Sequence, residues 1–169
     1  MEITALVLSL LSLALSAVVG WRAITLSRQA NSVDMVVDLF REHRGSDLAE
    51  ARRFVYTSYT EFETNHGLSG IPGDGRELIR RLSCYYDNLG ALVAHGIVDL
   101  DLVAGYMGSS VVSMWDRLEP LIVAERTLRH AQTYDDQRWQ RYFENLAILV
   151  RHRVPATARA DQALWRLDG

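Results

Sequence analysis

The run from Ile3 to Gly20 constrains the fold most, because its eighteen residues include no charged side chain. Eighteen residues of helix rise about 27 Å, close to the roughly 30 Å hydrocarbon core of a bilayer. Trp21 follows the run and Arg22 comes next, an order typical of the membrane interface. The pattern therefore predicts a transmembrane helix within residues 1–26.

A cleavable signal peptide is the alternative interpretation of this run. Such a peptide has basic residues before its apolar core, whereas only Met1 and Glu2 precede Ile3, and a small-residue site at 14–16 would suit cleavage. We favour the anchor. Arginines follow the run and none precedes it, so the positive-inside rule places the N-terminus outside the cell membrane and the domain in the cytoplasm. The lipid bilayer is then a partner.

Ser12, Ser16 and Gly20 recur every four residues and share one face of this helix. Small residues at that spacing let two helices approach closely, and serine can bond across the contact. The pattern predicts a helix–helix contact here. The alternative is that small residues are tolerated anywhere in a span, since they also occur off this face at Ala5, Ala14 and Ala17.

Residues 27–153 show helical periodicity without period-two alternation. We predict an all-α fold, in which the transmembrane helix precedes a compact cytoplasmic bundle of about five or six helices. The clearest signal is a 4,3,4,3 spacing in Leu78, Leu82, Tyr85, Leu89 and Leu92. Residues 154–169 form a C-terminal tail, either disordered or a short docking segment.

Helix boundaries follow from polar and glycine signals. Asp47 and Asp74 each precede a Glu by three residues, which predicts a capping box, and Asp99 is predicted as an N-cap after Gly96 closes the previous helix. Pro120 is expected to kink or restart the chain. The glycine-rich stretch 64–75 is expected to be a flexible connection. In the last helix the predicted inward positions are Trp139, Tyr142 or Phe143, Leu146, Leu149 and Val150.

Several classes of function lack their sequence signals. The net charge of −3 gives little attraction for nucleic acid. Cys84 is the only cysteine, so no intrachain disulfide forms, a reducing compartment fits, and a packing role is expected. The histidines lack the HxH and HxxxH spacings of paired metal ligands. We expect no metal, no other cofactor and no catalytic residue.

The chain resembles a bacterial family of unknown function. The resemblance rests on "YYDNLGALVAHGIVDLDLV" from Tyr85, "WDRLEPLI" from Trp115 and "YFENLA" from Tyr142, and covers roughly residues 28–150. It implies one N-terminal span and a small helical cytoplasmic domain, with no activity or catalytic residue to carry over. His95 stands where the family pattern has a basic residue, commonly Arg.

The leading functional hypothesis is a membrane-anchored interaction or scaffold module that associates with itself or with another membrane protein. A small-ligand sensor coupled to the transmembrane helix is the alternative, with the ligand near Tyr85, Tyr86 and Trp115. An enzyme that uses buried carboxylates is the third hypothesis. Helix ends and inner faces account for most of the motif at 85–103, and the candidate polar site is what remains: Tyr86, Asp87, Asn88 and Asp101.

Overall fold

The fold was analysed in a computed structural model of the 169-residue chain. The structure describes residues 12–13, 15–16, 19–20, 35–132 and 138–153. Contacts divide the chain into two compact units, residues 1–40 and residues 41–169. The first unit contains helical residues 35–40 and the helical positions among 12–20, and the second contains all the elements named below.

The described residues of the second unit are mostly helical. Helical residues 41–44 lead into α1, and two short 3-10 segments follow it before the long helices begin. The elements are α1 at Ser46–Thr57, the 3-10 segments at Tyr59–Glu61 and Thr64–Gly70, α2 at Gly73–Ala94, α3 at Leu100–Gln132 and α4 at Arg141–Arg153. No strand occurs in the described residues, which confirms the all-α prediction, and six helical elements agree with the expected number.

The core lies where α4 packs against α2 and α3, with α1 against α2 and the second 3-10 segment against α3. Buried side chains recur every three or four residues on each helix, as a half-buried helix requires. In α2 they include Leu82, Tyr85, Tyr86 and Leu89, and in α4 they are Phe143, Leu146, Ala147 and Val150.

The membrane prediction is contradicted. Among the described residues, no helix is both long enough and apolar enough to cross a membrane. The longest, α3, has the length but carries charged side chains along it, from Asp101 through Asp116 and Arg117 to Glu125. Most of the predicted span, Ile3 to Gly20, lies outside the described residues. The single-pass anchor, with its N-terminus outside and its domain in the cytoplasm, is therefore not supported.

The end of α2 confirms the role of Gly96. Gly96 has φ of +66°, its N–H donates to the Val93 carbonyl, and the Ile97 N–H donates to the Leu92 carbonyl, which together form a Schellman motif. Asp99 then caps α3, because its Oδ1 accepts from the N–H of Asp101 at 2.7 Å. The predicted end of α2 at Gly96 and the predicted N-cap of α3 at Asp99 are both confirmed.

Two predicted capping boxes are wrong. Gly45 is the N-cap of α1 and Pro72 is the N-cap of α2, and neither helix start has a side-chain cap. Asp47 lies inside the first turn of α1, where its carboxylate forms an ion pair with Arg81 at 3.2 Å. A carboxylate in the first turn still complements the helix dipole. Asp47 therefore marks the start of α1 correctly, although it does not cap the helix.

Pro120 neither breaks nor restarts α3. The helix is 33 residues long, and Pro120 lies inside it. Proline removes one N–H and so one backbone hydrogen bond, but Leu118, Leu121 and Ile122 are buried around it. This packing on both sides of the proline holds the helix together.

The stretch predicted as a flexible connection is instead fastened to α3. Leu68 is buried, and its N–H donates to Glu125 Oε2 at 2.8 Å. Gly67 has φ of +57°, a left-handed conformation that glycine adopts without strain, and it lies directly against Glu125.

Candidate functional site

Tyr86 is the predicted site residue with the most distinctive surroundings. Its ring is fully buried on α2, and its hydroxyl lies 2.8 Å from Ser110 Oγ on α3. His43 Nε2, in the segment before α1, lies 3.4 Å from both hydroxyl oxygens. We call these three residues the Tyr86 cluster.

The Arg52 side chain on α1 adds a positive charge beside this cluster. Its Nη1 atom is buried and has no hydrogen-bond acceptor among the described residues. Within that part of the chain no carboxylate pairs with it. The Tyr86 cluster therefore places two hydroxyls and an imidazole beside a guanidinium. One nitrogen of that guanidinium, Nη1, donates no hydrogen bond to the described residues.

Burial controls the protonation of the cluster. It lowers the pKa of His43 to about 4, and the positive charges of Arg52 and Arg44 act in the same direction. Burial also raises the pKa of Tyr86, while its hydrogen bond with Ser110 and the charge of Arg52 act in the opposite direction. At neutral pH the imidazole and the phenol are therefore both uncharged, and Arg52 supplies the local charge.

Asp87 has a structural role that the sequence did not reveal. Its Oδ1 accepts a hydrogen bond from the N–H of Phe143, in the first turn of α4, at 3.0 Å. The residue that precedes α4, Gln140, has φ of +57° and directs its side-chain amide toward Cys84 Sγ, 3.9 Å away. Asp87 therefore caps the first turn of α4 from the neighbouring helix α2.

The other two predicted site residues, Asn88 and Asp101, do not contact the Tyr86 cluster in any described hydrogen bond or ion pair. Asn88 is exposed on α2. Asp101 is exposed near the start of α3, where its carboxylate lies 3.4 Å from Arg153 Nε. The four residues do not form one site, because their roles are a buried hydroxyl, a cap, a surface amide and a surface ion pair.

Ser12, Ser16 and Gly20 are helical and exposed. A Cβ atom placed on Gly20 would meet nothing within 4 Å. Association of this face with another helix stays a prediction.

Three residues of the site region were missed by the sequence analysis: His43, Arg52 and Ser110. Ser110 did carry a signal, since it is a hydroxyl among the apolar inward positions of α3, and a buried polar group needs a partner. His43 and Arg52 carried none, because polar residues on a surface helix are ordinary. Their position depends on how α1 and the segment before it pack.

Possible metal ligands are also dispersed. In the described ranges no three His, Cys, Asp or Glu side chains are grouped as a metal ion would need. Glu63 and His66 stand three residues apart with 3.8 Å between their side chains, but both are exposed and lack a third ligand there. Cys84, predicted as a packing residue, is exposed.

Two adjacent aliphatic side chains of α4 are exposed among polar neighbours. Ile148 is 43% exposed and Leu149 is 44% exposed, while Leu146 and Val150 of the same helix are buried. Leu149 was predicted to face inward, which is wrong. Leu149 is three residues from Leu146 and so fits helical spacing, but it lies about 100° around the helix from Val150, which is central to the buried face. We call Ile148 and Leu149 the α4 outer pair.

The chain belongs to a family defined by a domain of unknown function, DUF4760, whose model matches residues 1–153. This agrees with the uncharacterised domain family that the sequence resembles. Comparison with curated proteins and with solved structures gave no match.

Proposed function

We propose that the helical unit is a protein-interaction module that associates with a second copy of itself. The α4 outer pair is the observation that carries this proposal. Two adjacent branched aliphatic side chains, each more than two-fifths exposed, lie on a helix whose opposite face is already buried in the core. Burying such side chains against another protein removes apolar surface from water, which is favourable.

A second copy is the partner that this surface suits. In a two-fold dimer the same patch occurs on both sides, so one self-complementary patch supplies both halves of the interface. Antiparallel pairing of α4 with its copy would place Ile148 and Leu149 against the same pair.

The association is expected to be weak, because two side chains per copy cover less area than a stable interface needs. Sedimentation of the full chain over a concentration series reaching about 1 mM would detect association worth about −4 kcal/mol. We expect a monomer–dimer equilibrium in the parent chain and a monomer in Leu149→Glu and Ile148→Glu.

Leu102→Glu is the matched control, since Leu102 is 51% exposed on α3 and the substitution adds the same charge. It should leave the equilibrium unchanged. A parent chain that stays monomeric throughout the series, or α4 variants that associate as well as the parent, would contradict the proposal. Circular dichroism of each variant checks that the helices are intact.

A small-ligand sensor is the second candidate, favoured by the Tyr86 cluster and the buried Nη1 of Arg52. A ligand that accepts a hydrogen bond there would stabilise the folded chain. A screen of small carboxylates and phosphate esters by melting temperature tests this. The expected result is a rise that Tyr86→Phe abolishes, and an equal rise in that variant would contradict it.

A further inference from the structure

A cavity of about 230 Å³ lies between the second half of α3 and the start of α4, far along the chain from the Tyr86 cluster. Among the described residues that line it, three have basic side chains and none has an acidic one. The lining residues are Val123, Arg126, Thr127, His130 and Arg141. Since a water molecule takes about 30 Å³ of liquid, the cavity has room for a ligand of several heavy atoms.

Arg126 is held in a fixed orientation at this cavity. Its side chain is 12% exposed, its Nε donates to the Trp139 carbonyl at 2.7 Å, and its Nη1 donates to Glu144 Oε2 at 2.8 Å. These two bonds fix the plane of the guanidinium. The remaining nitrogen, Nη2, is buried and has no acceptor among the described residues. A buried charged donor without an acceptor is costly, and a negative charge in the adjoining cavity would offset part of that cost.

Counted over the described residues alone, the charges at the cavity are more positive than negative. Glu144 Oε2 is shared, because it also accepts from Arg141 Nη1 at 3.0 Å, so one carboxylate faces two guanidinium groups. The nearby carboxylate of Glu125 does not line the cavity and is engaged with Arg129 and the N–H of Leu68. The Thr127 hydroxyl donates to the Val123 carbonyl, so the arginines and His130 are the donors that remain.

We propose that this cavity binds a small oxyanion, whose oxygens accept from the side chains of Arg141 and His130 and whose negative charge is attracted by the guanidinium of Arg126. The planar guanidinium fork matches phosphate and carboxylate oxygens better than a point charge does. The site is independent of the α4 outer pair and of self-association.

Calorimetric titration of the full chain with inorganic phosphate, and separately with malonate, tests the proposal. We expect saturable binding at one site, with whichever anion binds more tightly identifying the ligand as phosphate-type or carboxylate-type. The double variant Arg141→Gln with His130→Gln should weaken binding at least about tenfold, a change of about 1.4 kcal/mol. Both residues are exposed, so the fold should survive, and the melting temperature without ligand checks this.

The matched control is Arg53→Gln. Arg53 lines a second cavity, of about 330 Å³, in which the acidic Glu50 is also present. This variant should bind phosphate as the parent does. Two results would overturn the proposal: absence of saturable binding of either anion at concentrations up to about 10 mM, or an equal loss of affinity in Arg53→Gln, which would indicate non-specific attraction to positive charge.

Discussion

The carboxylate of Asp87 accepts a hydrogen bond from the backbone N–H of Phe143, 56 residues further along the chain, at 3.0 Å. The contact joins α2 to the first turn of α4 and satisfies one of the free N–H groups at that helix start. Loss of an N-cap acceptor typically costs about 0.5–2 kcal/mol.

We expect Asp87→Ala to lower the free energy of unfolding by about 1–2 kcal/mol, because the first turn of α4 then loses its acceptor. Asp87→Asn retains an acceptor oxygen and should lose less. Urea denaturation measures both. Asn88→Ala, next to Asp87 but exposed, is the control and should change stability by less than about 0.5 kcal/mol. Equal stabilities of Asp87→Ala and the control would refute the capping role.

The 2.8 Å contact between the hydroxyls of Tyr86 and Ser110 predicts energetic coupling between them. Tyr86→Phe and Ser110→Ala should each destabilise the fold, because each leaves the other hydroxyl with one partner fewer. In the double variant the second substitution should cost about 1 kcal/mol less than it does alone. A double-mutant cycle by chemical denaturation measures this difference. Strict additivity would mean that the two hydroxyls do not interact.

The lowered pKa of His43, about 4 against 6.5 for a free histidine, predicts a pH dependence of stability. Between these values the unfolded chain binds a proton that the folded chain does not. Stability from this group is therefore fully present above pH 6.5 and is lost as the pH falls toward 4. In His43→Gln the decline over that window should be shallower, measured by unfolding at a series of pH values.

His66→Gln is the control for that measurement, because it removes an exposed imidazole outside the cluster. The result contradicts our assignment if the parent, His43→Gln and His66→Gln all lose stability with the same slope. The residues facing His43, which include Arg44, Arg52, Tyr85, Tyr86 and Tyr106, are unchanged in both variants.

Gly90 and Gly105 should respond in opposite directions to substitution by alanine. A Cβ atom on Gly90 would collide with the backbone carbonyl of Tyr142, where α2 and α4 cross closely. We expect Gly90→Ala to destabilise the fold by about 1–3 kcal/mol through overpacking. Gly105 is helical, exposed and has nothing within 4 Å of that position, so Gly105→Ala should stabilise α3 by about 0.5–1 kcal/mol. Thermal unfolding of both variants tests the contrast, and destabilisation by both would refute it.

The helices and most of their inner faces could be predicted because their signal is local. Leu82, Tyr85 and Leu89 recur at helical spacing, and Gly96 with Asp99 marks a boundary through the chemistry of individual residues. Such patterns involve residues close together in sequence, so they can be recognised without knowing which helix packs against them.

The roles that depend on distant partners could not be predicted in this way. Asp87 was singled out as a residue without a structural role, yet its role is defined by Phe143. Leu149 fits the inward spacing but is exposed, because the position of α2 and α3 around α4 decides which edge of the apolar face is covered. The cavity at Arg126 arises from side chains of two helices and has no motif in sequence.

The hydrogen bond from the Leu68 N–H to Glu125 Oε2 should protect one amide of the glycine-rich segment from exchange with solvent. Amide exchange with solvent reports how often a hydrogen bond opens. Because the acceptor belongs to the long helix α3, the Leu68 proton is exposed only when this segment separates from that helix. In a hydrogen-exchange experiment Leu68 should therefore exchange slowly beside faster neighbours, and Glu125→Ala should remove its protection. The exchange rate of the Leu68 amide therefore reports how often the glycine-rich segment separates from α3.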